Sequence, residues 1–381
     1  MKKAKAVLAA LLAAGLTVGS AVPALAFYQQ PQSKKGLLLS QQTADMLADI
    51  GNLGVKQVVV NMGTDQDLNT FDPLAAYCTQ NGVTLTMIVI NRPGAPAGMM
   101  PSAPVAGVGT YGFNVQSAEG QAAVRNYARS LAARYKNSVS NWVIGNEVND
   151  AIHWDYNGEM DMQAHAESYA KAFRIFYEEI KAANPEAKVL IPFDMRWKAT
   201  TGEPGCYPTA EYLPLLNNKL RDTDYGIAWH PYPVHFFTKP EFQDDDGISA
   251  DINTTPNINM KNINVLTDYL QTADMRTPSG EVRPLFLTEM GFTSAVENGE
   301  ARQAAVIAEA YRIAKENPYI QGMYLSRQVD AASQVAAGGA FGLWRRNESA
   351  GRDEIPASKK LAWEVYKIGR ASCRERVCLY V

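Results

Sequence analysis

The chain has 381 residues, 46% of them hydrophobic and 20% charged, with a formal net charge of −3. That composition supports a large core and excludes a disordered chain. The small negative charge, without any Lys/Arg run interleaved with aromatics, gives no footprint for nucleic acid or an anionic membrane.

Lys2, Lys3 and Lys5 precede an apolar run from Ala6 to Leu16, followed by "AVPALA" at 21–26. A basic start, a short apolar core and an Ala-x-Ala end are the pattern of a secretory signal peptide, so residues 1–26 are expected to be removed and the mature chain to begin at Phe27. The apolar run is short for a membrane span. An extracytoplasmic location is the expectation.

From there, strand-like and helical runs alternate. "KGLLLS" (35–40) is a first strand, and "TADMLADIGNLG" a helix stopped at Gly54. "VKQVVVNM" (55–62) is a β-branched strand, "DPLAAYCTQNG" a helix and "VTLTMIVINR" (83–92) a third strand. A loop rich in Gly, Pro and Ala runs to Ser117. The helix 118–136 follows, then the strand "NWVIGNEVN" (141–149). A long helix ends at Asn184-Pro185, the point at which proline disfavours continuation. "AKVLIPFDM" (187–195), "YGIAWHPYP" (225–233), "RPLFLTEMGFT" (283–293) and "IQGMYLSRQ" (320–328) are the remaining strands. They are separated by "TAEYLPLLNNKL", "INMKNINVLTDYLQ" and "GEARQAAVIAEAYRIAKENP", and "SKKLAWEVYK" closes the series. Eight strands alternating with eight helices predict a single-domain α/β chain, a (β/α)8 TIM barrel. The rival, a doubly wound open sheet, lacks its Gly-rich turn after the first strand.

The segment "IGRASCRERV" (368–377) reads as one frame of a sequencing-library adapter, so residues 368–381 are expected to be non-native. Cys78 and Cys206 then remain as the cysteines of the domain, and their spacing leaves open whether they pair.

Active sites of this barrel lie at the C-terminal ends of the strands. The polar residues there are Asn61, Arg92, Asn146 with Glu147, Asp194, His230 with Tyr232, Glu289, and Arg327 with Gln328. Two carboxylates, Glu147 and Glu289, end strongly apolar strands. Such a pair can cleave a glycosidic bond, one as the protonated acid that releases the leaving oxygen, the other ionised to attack the anomeric carbon. Two carboxylates in one cleft push each other's proton affinities apart. Arg92 and Arg327 could hold Glu289 ionised, bind sugar hydroxyls, or form structural pairs. Trp154, Trp197 and Trp344 fall on loops at the predicted active face, where a ring can stack on a pyranose. The four histidines, His153, His165, His230 and His235, show no metal-ligand spacing. "QDDDG" lacks the alternation of a Ca²⁺ loop, and no Gly-x-Ser-x-Gly elbow occurs. Neither a metal nor a cofactor is expected. The expected partner is a carbohydrate substrate.

"GNEVN" and "LTEMG" resemble the two catalytic signatures of clan A glycoside hydrolases, in which the acid/base Glu follows an Asn at the end of strand four and the nucleophile ends strand seven. The resemblance implies Glu147 as acid/base, Glu289 as nucleophile and Asn146 as donor to the sugar 2-hydroxyl. It also implies that His230 or Tyr232, on strand six, contacts the nucleophile. More widely, "SNWVIGNEVN", "AWHPYP", "NINVLTDYL", "TEMGF" and "FGLWRR" resemble an uncharacterised bacterial family related to that clan, over most of residues 35–367. The expected activity is a secreted retaining glycosidase. A non-catalytic carbohydrate-binding barrel and an inverting hydrolase on the same scaffold are the alternatives.

Overall fold

The computed structural model describes residues 27–243 and 247–369. The expected signal peptide, Asp244–Asp246 of "QDDDG" and residues 370–381 of the expected adapter segment lie outside the described residues.

Eight parallel strands close into a barrel: β1 (Lys35–Leu38), β2 (Gln57–Gly63), β3 (Thr84–Ile90), β4 (Val139–Ile144), β5 (Lys188–Asp194), β6 (Gly226–His230), β7 (Leu285–Met290) and β8 (Ile320–Leu325). Closure is made by β1, whose Leu38 pairs with Val59 of β2 while its Leu37 pairs with Leu325 of β8. The connecting helices are α1 (Ala44–Asn52), α2 (Asp72–Asn81), α3 (Ala118–Tyr135), α5 (Met162–Ala183), α6 (Thr209–Leu220), α7 (Ile263–Leu270), α8 (Gly299–Glu316) and α10 (Leu361–Ile368). Short helices α4 (Ala151–Trp154) and α9 (Ala332–Ala336) sit on loops. The single-domain (β/α)8 barrel expected from the alternation is the architecture observed. Two short antiparallel strands, β9 (Trp344–Arg346) and β10 (Pro356–Lys359), were not expected; they form in the loop after β8. The last helix runs through Ile368 and closes on Gly369 in the left-handed conformation, so the first two residues of the expected adapter segment form its end.

Strand alternation sorts the side chains into two layers. Leu38, Val59, Ile88, Ile90, Val143, Leu190, Ala228, Phe286 and Tyr324 fill the barrel interior. The opposite faces, such as Val58, Val60 and Met62 of β2, pack on the helices. Tyr324 is the largest interior side chain, and it fits because β1 carries Gly36: a Cβ there would lie 2.7 Å from the Tyr324 ring. Residues before β1 seal the lower end. The Tyr28 hydroxyl donates to Asn141 Oδ1 (3.1 Å), and the Gln29 N–H donates to Ser140 Oγ (3.0 Å).

Cys78 and Cys206 are both buried and free. Among the described residues no helix is long and apolar enough to cross a membrane.

Candidate active site

After β4 the chain must turn a side chain of the fourth strand into the barrel mouth. Gly145 makes that turn at φ 82°, a region open to glycine, and Glu147 follows at φ 36°, where a residue with a Cβ is strained. The Gly145 N–H still extends the ladder to Val89 (2.9 Å), and the Val148 N–H reaches Pro192 O (3.1 Å). Buried Val148 on one side of Glu147 and Asn146 on the other anchor the turn. Backbone strain held in place on both sides at a carboxylate is a mark of a functional position.

The Glu147 side chain is 13% exposed and accepts a hydrogen bond at Oε1 from His230 Nδ1 (2.8 Å). His230, at the end of β6, is fully buried, and its Nε2 meets Thr288 Oγ1 (3.1 Å), one residue before Glu289. Burial disfavours the charged imidazole, but the hydrogen bond and charge of Glu147, with those of Glu289 and Asp194, outweigh it and raise its proton affinity above the ordinary value. Two residues further along, the Tyr232 hydroxyl donates to Glu289 Oε1 (2.7 Å). Burial, then the Glu289 charge, hold the Tyr232 phenol well above its usual pKa, so it stays a proton donor. Ser326 Oγ lies 3.5 Å from the same Glu289 oxygen. The end of β6 thus reaches both carboxylates. Of the two residues that resemblance offered as contacts of Glu289, Tyr232 makes the contact and His230 turns to Glu147.

A second layer supports Glu147. Asn149 ties β4 to β5 twice: its Nδ2 donates to Asp194 Oδ1 (2.6 Å), and its Oδ1 accepts the Asp194 N–H (3.0 Å). Arg196 Nη1 pairs with Asp194 Oδ2 (2.5 Å) and Asp150 Oδ2 (2.9 Å). Burial, then the neighbouring Glu147 charge, push the Asp194 carboxyl up to about 7 against the pull of Arg196. Carboxyl oxygens of Glu147, Asp150 and Asp194 lie within 4.8 Å of one another. The guanidinium of Arg196 already supplies the cation for two of them, so this cluster is an ion-pair network.

The other expected site residues divide. Asn61, on the same face of β2 as interior Val59, and half-buried Arg92 after β3 lie at the mouth; neither side chain has a hydrogen-bond partner among the described residues. Trp154 ends α4, beside the Glu147 turn, and is 41% exposed. Three further residues are held by partners away from the two carboxylates. Arg327 pairs with the Glu354 carboxylate, the structural pairing that was one of its alternatives, and its Nε is left without a partner among the described residues. Trp344 donates its Nε1–H to Asp49 (2.9 Å) and packs edge-on against Trp363, which makes it part of the wall around α1 and α10. Trp197 is 2% exposed, with its Nε1–H on Ile252 O. Sequence reasoning passed over Thr288, Ser326 and the Asp150–Arg196 pair. Asp194 ends an apolar strand just as Glu147 and Glu289 do, and that was the available signal.

The chain shares the fold of clan A glycoside hydrolase barrels. It is similar to a family 39 glycoside hydrolase from the gut symbiont Bacteroides cellulosilyticus WH2, with a TM-score of 0.64 and 16% identity over 90% of this chain. It spans 64% of that protein, less than two thirds of its length. A GH5_18 variant from Bifidobacterium longum subsp. longum, in complex with Manβ1-4GlcNAc, matches with a TM-score of 0.57 and 14% identity over 91% of this chain and 78% of its own. A psychrophilic family 10 endo-β-1,4-xylanase matches with a TM-score of 0.52 and 16% identity over 88% of this chain and 96% of its own. By sequence, residues 64–376 match the model of a family of unknown function, DUF5722, and the chain belongs to that family. No curated protein matches the chain.

Proposed function

We propose that this chain is an exported retaining glycoside hydrolase that cleaves O-glycosidic bonds of an oligo- or polysaccharide. The observation that carries the reading is the reach of β6: His230 on Glu147 and Tyr232 on Glu289, at 2.8 and 2.7 Å, from residues two apart. Each carboxylate at the mouth has its own donor, and neither is paired with a Lys or Arg among the described residues. Two carboxylates at one mouth, each given its own donor, fit an acid/base and a nucleophile. The glycoside hydrolases that share the fold support the reading, and the basic-apolar start of the chain supports export.

The roles follow from the chemistry. Glu289, held by the Tyr232 hydroxyl, attacks the anomeric carbon as a carboxylate while the bond to the leaving oxygen breaks. Glu147 gives its proton to that oxygen. In the second step water attacks the anomeric carbon, Glu147 takes the water proton, and the bond to Glu289 breaks. Asn146, next to Glu147, would donate to a sugar hydroxyl. Direct attack requires carboxyl groups about 5–5.5 Å apart, whereas an inverting pair leaves room for water at about 6.5–9.5 Å. Proton NMR of the first-formed product on a cleavable substrate tests the proposal. Retention is expected; an inverted anomer would remove Glu289 from the nucleophile role.

A further inference from the structure

The described residues expose four large apolar side chains, Val105, Trp154, Phe237 and Ile368. Ile368 ends the last helix. The other three lie on loops that follow β3, β4 and β6, on the side of the barrel where Glu147 and Glu289 emerge. An exposed large ring is held in water at a cost, and on a loop tip it is normally free to fold away. Phe237 is not free. Its ring stands 4.3 Å from that of Phe236 and 5.8 Å from that of Phe341, centroid to centroid. The segment after β8 is cut to receive it: a Cβ on Gly338 would fall 2.5 Å from the Phe237 carbonyl oxygen, and one on Gly339 would fall 2.9 Å from its ring. Two loops from different strands therefore cooperate to hold a Phe that is still 37% exposed.

The ring is also continuous with the site. Phe236 packs on Tyr232 at 4.9 Å, and Tyr232 is the residue that donates to Glu289. From the Glu289 carboxylate outward the path is one hydroxyl, then three aromatic rings in contact, ending at the surface. Trp154 lies on the loop after β4, which carries Glu147.

We propose that Phe237, backed by Phe236, is the stacking platform of a second sugar subsite, which binds an uncharged pyranose unit of a chain whose neighbouring unit lies between Glu147 and Glu289. This deepens the glycosidase reading and rests on it. A pyranose presents an apolar face of C–H groups, which a flat ring covers without needing a polar partner. Phe237 offers only such a surface, with no hydroxyl or N–H of its own to pair with a uronate or sulfate group. Phe236 is a positioning residue that fixes the tilt of Phe237.

The test uses the mature chain with cellohexaose, mannohexaose and xylohexaose and the matching 4-nitrophenyl monosaccharides, followed by both hydrolysis and calorimetric binding. For Phe237→Ala, the loss in kcat/KM on the hexaose that wild type cleaves is expected to exceed the loss on the aryl monosaccharide about tenfold, carried in KM. Phe237→Tyr, which keeps the ring, should restore most of it. An equal loss on long and short substrates would overturn the platform, as would no loss on either; the latter would leave Phe237 as a contact for something other than sugar. Wild type that binds a hexaose without cleaving it would sink the glycosidase reading alone, and the platform would then stand or fall on whether Phe237→Ala weakens that binding. Wild type that neither binds nor cleaves any of the three would overturn the platform for uncharged chains.

Discussion

The base and the mouth of the barrel are both lined by polar side chains on strands whose middle is apolar. At the base, Asn141 donates to Thr86 (3.0 Å), Thr86 meets the Tyr324 hydroxyl (2.8 Å), and Tyr324 donates to Gln57 (2.8 Å). Gln57 in turn donates to the carbonyls of Ser33 and Gln321. Tyr28 closes the set from the segment before β1, with Lys188 over its ring at 4.6 Å. Burial lowers the Lys188 ammonium to about 8. Every group at this end is answered by another part of the same chain. At the mouth, Glu147 and Glu289 each receive one strong donor and keep a partly exposed carboxylate, while Asn61 and Arg92 have no partner among the described residues. The lesson of the contrast is that polar residues inside a barrel mean stability where the network closes on itself and chemistry where it is left open.

The largest effect should come from opening the mouth network. Glu289→Ala is expected to abolish turnover, with partial rescue by azide as the inverted glycosyl azide. Glu147→Ala should lower kcat/KM about 10²–10⁴-fold on substrates with poor leaving groups. On activated substrates it should spare the first step and stall at the covalent intermediate. Glu289→Ala should lower the melting temperature little, whereas Glu147→Ala should cost some stability because it takes the acceptor from buried His230. A collapse of stability in either variant would make the mouth a structural network like the base.

The base should respond in the opposite way. Asn141→Ala takes the acceptor from Tyr28 and one of two partners from Thr86 and should cost about 1–3 kcal/mol of stability, read by denaturant melts, with kcat nearly unchanged. A large fall in kcat at full folding would show that the two ends are coupled.

A smaller effect is a pH dependence. Asp194 has its pKa raised to about 7 in the fold, whereas an unfolded Asp titrates near 3.9. The folded state therefore holds an extra proton between those values. The stability this contributes is full below about pH 3.9 and is lost as pH rises to about 7. Asp194→Asn should flatten the melting-temperature profile across that window. An unchanged slope would show that Arg196 keeps Asp194 ionised throughout.

How much of this was legible in the sequence depends on the kind of signal. The eight strands and their order were, because alternation of β-branched runs with 3.6-period helices is a property of each segment by itself. Glu147 and Glu289 were legible for the same reason, as charges ending apolar runs. The failures involve partners far apart in the chain. Nothing near Arg327 announces Glu354, and nothing near Trp344 announces Asp49 and Trp363. Phe236–Phe237 looks like an ordinary apolar pair until Gly338 and Gly339 are seen beneath it. The split of His230 from Tyr232 was hidden because two residues on one strand end face different neighbours.

The smallest effect expected is that of a chelator, and it bears on whether the mouth is open to ions as well as to sugar. Glu147, Asp150 and Asp194 place carboxyl oxygens within 4.8 Å of one another, close enough to surround a cation. Arg196 stands among them, bonded to Asp150 and Asp194 at 2.9 and 2.5 Å, and Asn149 takes a further Asp194 lone pair. A divalent ion would have to displace a guanidinium that is itself fixed in two directions. It would gain only one carboxylate, Glu147, whose Oε1 His230 already occupies. EDTA should therefore leave activity and melting temperature unchanged. Arg196→Ala, in contrast, would leave Asp150 and Asp194 without their cation beside Glu147 and should make stability respond to added Ca²⁺ or Mg²⁺. A loss of wild-type activity in EDTA that Ca²⁺ restores would show that the ion-pair network is not the resting state of the mouth.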